Sequence, residues 1–401
     1  MSRIIIVDPD FEHACGHNLT ANQIIASNVA GEVMILAPAT LPAPVQLPGV
    51  AIRRVLPRNS YIATNVRGTL VDRLSRVACA VFTGRGRGLV DPVLSYYHDV
   101  LHDFFEEVSI SRNDSIVVHT GSEVLLASVL DVIECLPEAQ RPILHYRQVR
   151  PISDFEHAQQ LHTRLAYLVR QNQAYIYSET RRFKVTLAAL GHDIASIETL
   201  ELTDCSRPFK EQHKPTDFVT VAVLGTVRTE KGHARLANIA GHYAQLAGQL
   251  RKPQLRYLIH AAHIKNRKLF DRMLKSLDAV NVEYEIADAG PEDDVHWRCM
   301  KDCHVVMMPY DRNRYQERGS GVAIDAIVSA RPLLISGYCT LEEYVRGENG
   351  LSAVSDGEFA QALSTVLQDY DSFSNNAVEL ALRVRTIHAS HPFYARLGRP
   401  G

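Results

Sequence analysis

Short apolar runs alternate with longer amphipathic stretches along the chain, and this alternation limits the fold more than any other feature. It marks a parallel sheet, because parallel neighbours need a crossover of about a dozen residues or more, usually a helix. In the first half the pattern predicts strands at Arg3–Val7, Glu32–Ala37, Ser115–His119, Ile143–Arg147 and Ala174–Tyr177. Helical patterns stand between them at Leu19–Val29, Pro92–Val108, Glu123–Leu136 and Phe155–Arg170. A polar interval, Thr203–Asp217, breaks the rhythm with Pro208, Lys210, Lys214 and Pro215. The alternation then restarts with strand Val219–Leu224, helix Gly232–Leu250 and strand Gln254–His260, and continues to strands Val282–Ile286, His304–Met308 and Pro332–Ile335.

A chain of 401 residues is too long for one comfortable core. The expected fold is therefore α/β with two Rossmann-like domains, residues 1–204 and 218–375, joined by a linker over 205–217. The last stretch, 376–401, reads as a C-terminal helix able to pack back on the first domain. Ligands of such sheets bind outside the C-terminal ends of the strands. Two domains facing each other would place the site in the cleft between them.

Composition excludes several classes. Hydrophobic content of 46% and charged content of 22% describe an ordinary globular protein. A net charge of −2 argues against dedicated nucleic-acid binding. Seven scattered cysteines and no secretory leader read as reduced thiols in a cytoplasmic protein. The apolar run Ile4–Val7 stops at Asp8 and is a first strand, not a signal peptide. No uncharged apolar run approaches the roughly 18 residues of a membrane span, although peripheral contact with the inner membrane face stays open. Gly84, Gly86 and Gly88 lack dinucleotide spacing. His296, Cys299, Cys303 and His304 form a cluster without the usual zinc spacing, and buried thiols are the default reading. No cofactor and no metal are expected.

The most informative stretch is Tyr310–Pro332. It follows a strand and carries Glu317, then seven residues, then Asp325. Gly319 and Gly321 lie between the acids, and a helix pattern begins at Val322. Glycines let backbone approach a ligand, and a helix N-terminus attracts a diphosphate. Acids accept hydrogen bonds from sugar and ribose hydroxyls. The second half opens with Gly225-Thr226-Val227-Arg228, followed by Lys231-Gly232, which puts two cations on a strand-end loop. Such cations would neutralise a departing diphosphate.

Gly225, Lys231-Gly232 and the acid–loop–acid segment together resemble the donor site of the retaining GT-B glycosyltransferases, the large family that includes sucrose synthases and phosphatidylinositol mannosyltransferases. The resemblance extends over Val219–Gln368 and takes in Ala326, Ala330-Arg331-Pro332 (the family's Gly-x-Pro position) and Glu348-Asn349-Gly350. Three departures stand out. Thr226 replaces the family's arginine, with Arg228 two residues on, Asp325 replaces a glutamate, and the residues between the acids lack the family's aromatic.

The resemblance implies that Asp325 holds the ribose and Glu317 the donor sugar, while the Gly321 and Val322 N–H groups meet the diphosphate. Arg228 and Lys231 would stabilise the leaving group, with Arg318 as a further cation beside Ser320. In the first half, His13, Gly16, His17 and Asn18 follow the first strand and are acceptor-side candidates, although Asn18 also suits a helix cap. His119, at a strand end, matches the family position that contacts the donor sugar. The implied activity is retaining transfer from a nucleotide sugar to a glycan, glycolipid or small-molecule acceptor. A sugar-nucleotide epimerase and an inactive scaffold of the same fold remain alternatives.

Overall fold

A computed structural model of the chain describes residues 2–12, 16–56, 92–150, 152, 155–210, 213–250, 253–261, 264, 266–288 and 292–398. His13 and the glycines at 84, 86 and 88 lie outside the described residues. The chain divides into two compact units. The first runs to Leu200 and takes back Pro392–Gly401, and the second comprises Glu201–His391 with the short stretch ending at His17.

The first unit is built on a parallel sheet ordered β3-β2-β1-β4-β5-β6-β7. Its strands are β1 (Arg3–Val7), β2 (Glu32–Pro38), β3 (Val50–Leu56), β4 (Ser115–Gly121), β5 (Ile143–Gln148), β6 (Ala174–Ser178) and β7 (Glu198–Thr199). The inner strands are apolar on both faces, as a sheet covered by helices requires. Ile5 and Val7 of β1 and Ile116 and Val118 of β4 pack with Leu125 and Leu130 of helix Glu123–Cys135 in one core. That helix starts sharply because Ser122 caps it, its side chain accepting from Leu125 N–H. The short helix Pro392–Arg396 is fixed in this unit by Arg396, which pairs with Glu198 at 2.8 Å and stacks over Tyr175 at 4.1 Å.

The second unit has the order β10-β9-β8-β11-β12-β13. Its strands are β8 (Phe218–Val223), β9 (Gln254–His260), β10 (Glu283–Ala287), β11 (Val305–Met308), β12 (Leu333–Ser336) and β13 (Gly350–Ala353), paired in parallel. In both sheets the strand order reverses beside the first strand, between β1 and β4 and between β8 and β11, where ligands of this architecture bind.

Three segments differ from the sequence expectation. The stretch expected as linker, 205–217, falls inside the second unit. Arginines hold its backbone: Arg385 donates to the carbonyls of Cys205 and Arg207, and Arg331 to that of Lys210. The helix Tyr370–Ala389 also belongs wholly to the second unit. The predicted helix Gly232–Leu250 does not include Gly232, whose φ is +70°; it begins as one 3-10 turn, His233–Arg235, and becomes α-helical at Leu236.

The Ala330-Arg331-Pro332 turn has a clear physical basis. The helix Gly321–Val328 ends with Ala330 N–H on Ile327 O at 2.9 Å and Arg331 N–H on Ala326 O at 3.0 Å. This bond pair defines a left-handed helix stop, and Ala330 has a φ of +56°. Glycine suits that position, and an alanine Cβ costs about 1–2 kcal/mol there. Arg331 is buried and satisfies the carbonyls of Met300 and Lys210. Ala330→Gly is therefore expected to stabilise the second unit by about 1 kcal/mol. Denaturant unfolding would show this as a higher midpoint at unchanged slope, and a lower midpoint would contradict the assignment.

Candidate functional site

The strand reversal of the second unit gathers most of the residues singled out in the sequence. The loop leaving β8 turns at Gly225, with a φ of +90°, and is anchored by Val227, which is buried in the core. A Cβ on Gly225 would overlap Lys231 Nζ, so the lysine occupies the space a side chain would take. Gly232 packs so close to the exit of β11 that a Cβ there would overlap the Pro309 carbonyl oxygen. Asp311 N–H donates to Glu230 O at 2.8 Å, which ties the two strand-end loops together.

Tyr310, which the sequence did not single out, forms the wall between these loops. Lys231 Nζ lies 5.1 Å from the centre of its ring, and the Tyr310 and Tyr315 rings are 4.8 Å apart. Arg318 lies over Tyr315 at 5.6 Å. Aromatic faces attract cations electrostatically, more so where water is partly excluded. A cavity of about 300 Å³ adjoins Tyr310 and is lined by Arg235, Asp311, Ser336 and Val354 among others.

The electrostatics are those of an anion site. The Lys231 ammonium is pushed down to about 7, first by burial and then by the nearby charges of Arg228 and Arg318. The residue as a whole keeps some exposure, but its Nζ is packed over Gly225. Arg228 sits 3.6 Å from Glu230, and its Nε is buried with no hydrogen-bond partner among the described residues. The charges of Arg228 and Arg318 repel the Lys231 ammonium, a strain that an anionic ligand would relieve. Thr226, half-buried in the same loop, leaves Arg228 as the guanidinium nearest to Lys231 in sequence.

Beside the cations begins the helix Gly321–Val328. Its N-cap Ser320 makes no side-chain capping bond, and Ala323 and Ile324 donate back to Ser320 O. The Gly321 and Val322 N–H groups precede the first intrahelical bonds and have no hydrogen-bond partner among the described residues. Val322 Cγ2 lies 3.6 Å from the Cβ position of Gly225, so this helix start adjoins the Lys231 loop. Gly16 and His17 group with this unit, and a Cβ on Gly321 would stand 3.1 Å from His17 Nδ1.

The two acids have different surroundings. Glu317 is half-buried in the loop, whose backbone is pinned by Thr340 N–H donating to Tyr315 O at 3.0 Å. Asp325, one turn into the helix, accepts from Thr203 Oγ1 at 2.7 Å and lies 3.0 Å from His296 Nε2. Neither partner was legible as such in the sequence, since Thr203 is 122 residues away. His296 is thus engaged apart from the other residues of the His-Cys-Cys-His run, and His304 Nδ1 accepts from Thr220 N–H. In the first unit, Asn18 donates to Asp10 O at 2.6 Å, and His119 lies buried in β4 beside Asp8 and Asn22.

The Lys231 ammonium favours an anion only while protonated, so its contribution to affinity is full below about pH 7 and declines as pH rises above it. Pyrophosphate titrations of the wild type and of Lys231→Met would check this. The affinity ratio between them is expected to shrink, by up to about tenfold per pH unit, between pH 7 and 9. A ratio independent of pH would contradict it.

No protein-family model and no curated protein sequence match the chain. Solved structures do resemble it along its whole length. HepE of Anabaena, in complex with UDP and glucose, superposes with a TM-score of 0.62 at 13% identity, over 99% of each chain. The sucrose-phosphate synthase of Thermosynechococcus elongatus gives 0.64 at 13% identity, again over 99% of each chain. A UDP-forming α,α-trehalose-phosphate synthase from Burkholderia xenovorans gives 0.64 at 12%, with the same coverage. Further matches include a protein from E. coli bound with UDP-2-fluoro glucose. At such identities the likeness is one of fold. With a seven-stranded and a six-stranded parallel sheet in its two units, the chain has the GT-B fold of these glycosyltransferases.

Proposed function

We propose that the chain is a glycosyltransferase that moves a sugar from a nucleotide-sugar donor to an acceptor hydroxyl with retention of anomeric configuration. The observation that carries this reading is the convergence of Arg228, Lys231 and Arg318 beside the open N-terminus of helix Gly321–Val328. That arrangement suits the diphosphate of a nucleotide sugar. HepE of Anabaena was crystallised with UDP and with UDP-glucose, which makes UDP-linked sugars the first donors to test.

In this reading the three cations take up charge as the glycosidic bond breaks, and the Gly321 and Val322 N–H groups hold the diphosphate. Asp325 holds the ribose. Its two oxygens already have partners, but an ionised carboxylate has about four acceptor sites. Glu317 accepts from donor-sugar hydroxyls and His119 from one near the reacting carbon. Gly16, His17 and Asn18 serve the acceptor side. No side chain is assigned as nucleophile. The acceptor oxygen attacks the face that the leaving group vacates, and its proton passes to a departing phosphate oxygen, which becomes the nucleotide diphosphate product. No metal is assigned. Polysaccharide or glycoconjugate assembly in the cytoplasm, with peripheral membrane contact, is the proposed setting; among the described residues no helix is long and apolar enough to cross a membrane.

A panel of UDP-, GDP-, ADP- and dTDP-linked sugars, followed by thermal shift and by product NMR, tests the reading. One base is expected to bind selectively, and the product should keep the donor's anomeric configuration. Lys231→Ala and Glu317→Ala should each lower turnover by about a hundredfold or more. Turnover of a nucleotide sugar without any acceptor would favour an epimerase. Binding without turnover would favour a scaffold, and full activity in both variants would remove the site assignment.

A further inference from the structure

The strand reversal of the first unit holds a side-chain constellation with a definite proton arrangement. Asp8 follows β1, Asn22 lies in the helix His17–Ser27, and His119 lies in β4. Their exposures are 0%, 0% and 1%. His119 Nε2 is 3.0 Å from Asn22 Oδ1 and 3.2 Å from Asp8 Oδ2, and Asn22 Nδ2 donates to Asp8 Oδ2 at 2.8 Å. Asn22 commits its amide donor to Asp8, so the oxygen it turns to His119 can only accept. Asp8 accepts hydrogen bonds from Asn22 Nδ2, Thr120 Oγ1 and Asp10 N–H, three donors that favour its ionised form. Ionised Asp8 also only accepts. Two acceptors therefore converge on Nε2, and Nε2 must carry a proton. In the neutral ring the lone pair is then on Nδ1, which is buried with no hydrogen-bond partner among the described residues.

The surroundings keep this arrangement fixed. Asp8 Oδ1 accepts from Asp10 N–H and from Thr120 Oγ1, both at 3.1 Å, so the carboxylate cannot turn away. Arg147 donates to the His119 carbonyl at 3.1 Å and to the Leu200 carbonyl at 2.7 Å, which pins the strand end. An unmet buried acceptor is costly, and a ligand hydroxyl that reached it would recover that energy.

We propose that Asp8, seconded by Asn22, is a positioning residue that locks His119 in the Nε2–H tautomer, so that Nδ1 is kept as an acceptor for a sugar hydroxyl. The inference rests on the assignment of His119 to sugar recognition made above. A ring locked in this way favours a hydroxyl over a deoxy position, because only the hydroxyl can donate to it.

Long-range ¹⁵N–¹H NMR on histidine-labelled protein reads the tautomer directly, and the wild-type His119 ring is expected to carry its neutral-form proton on Nε2. Asp8→Asn keeps the oxygen used by Asp10 and Thr120 but sets an amide against Nε2–H. The spectrum should then shift to the Nδ1–H form. With a nucleotide-sugar donor, kcat should fall at least tenfold while donor KM and Tm stay close to wild type. A wild-type ring protonated on Nδ1, alone or together with Nε2, or an Asp8→Asn variant with unchanged kcat and unchanged pH profile, would overturn the proposal. If that variant does not fold, the wild-type tautomer decides. Failure of the wild type to transfer from any nucleotide sugar would count against the transferase reading, whereas the tautomer result would still judge the lock.

Discussion

The second unit depends on a backbone approach that only glycine allows. Gly232 lies against the Pro309 carbonyl, and this contact brings the loop after β8 onto the exit of β11. Arg235 seals the junction by donating to Pro309 O and Val354 O and by pairing with Asp356 at 2.6 Å. Everything proposed for the site follows from it. Lys231 is delivered over Gly225 and beside Tyr310, and the helix start at Gly321 comes next to that loop. A side chain at either glycine would force the loops apart and disperse the cations.

The strand alternation and the loop cations were readable in the sequence because both are local. The elements that escaped were short or masked by polar residues. β3 is half-buried or exposed up to Leu56 and carries Arg53 and Arg54, as an edge strand can. β13 has four residues behind a polar turn, and β7 has two. The resemblance located Ala330 as a substituted glycine, and its positive φ gives the physical meaning of that position. Tertiary partners were not readable. Nothing near Tyr310 in sequence marks it as the ring beneath Lys231, and nothing in the Thr203 segment shows that it would bind Asp325.

The two units use their strand reversals in different chemical ways. The second presents positive charge that a dianion would settle. The first is buried and finely balanced, with Asp8, Asn22 and His119 sharing protons among themselves and Asp10 paired with Arg150 close by. The Asp10 carboxyl is pushed up by burial, which the charge of Arg150 only partly offsets. A site of this kind selects by hydrogen-bond direction rather than by charge, which suits hydroxyl-rich ligands.

The central claim is that the diphosphate of a nucleotide sugar is held where Gly225–Gly232 meets the start of helix Gly321–Val328. A crystal structure of the chain with the nucleotide sugar it binds tests this most directly. The account predicts phosphate oxygens within hydrogen-bond distance of Lys231 Nζ and of the Gly321 or Val322 N–H. A diphosphate bound elsewhere on the chain, with Lys231 still folded over Gly225 and touching no ligand, would contradict it.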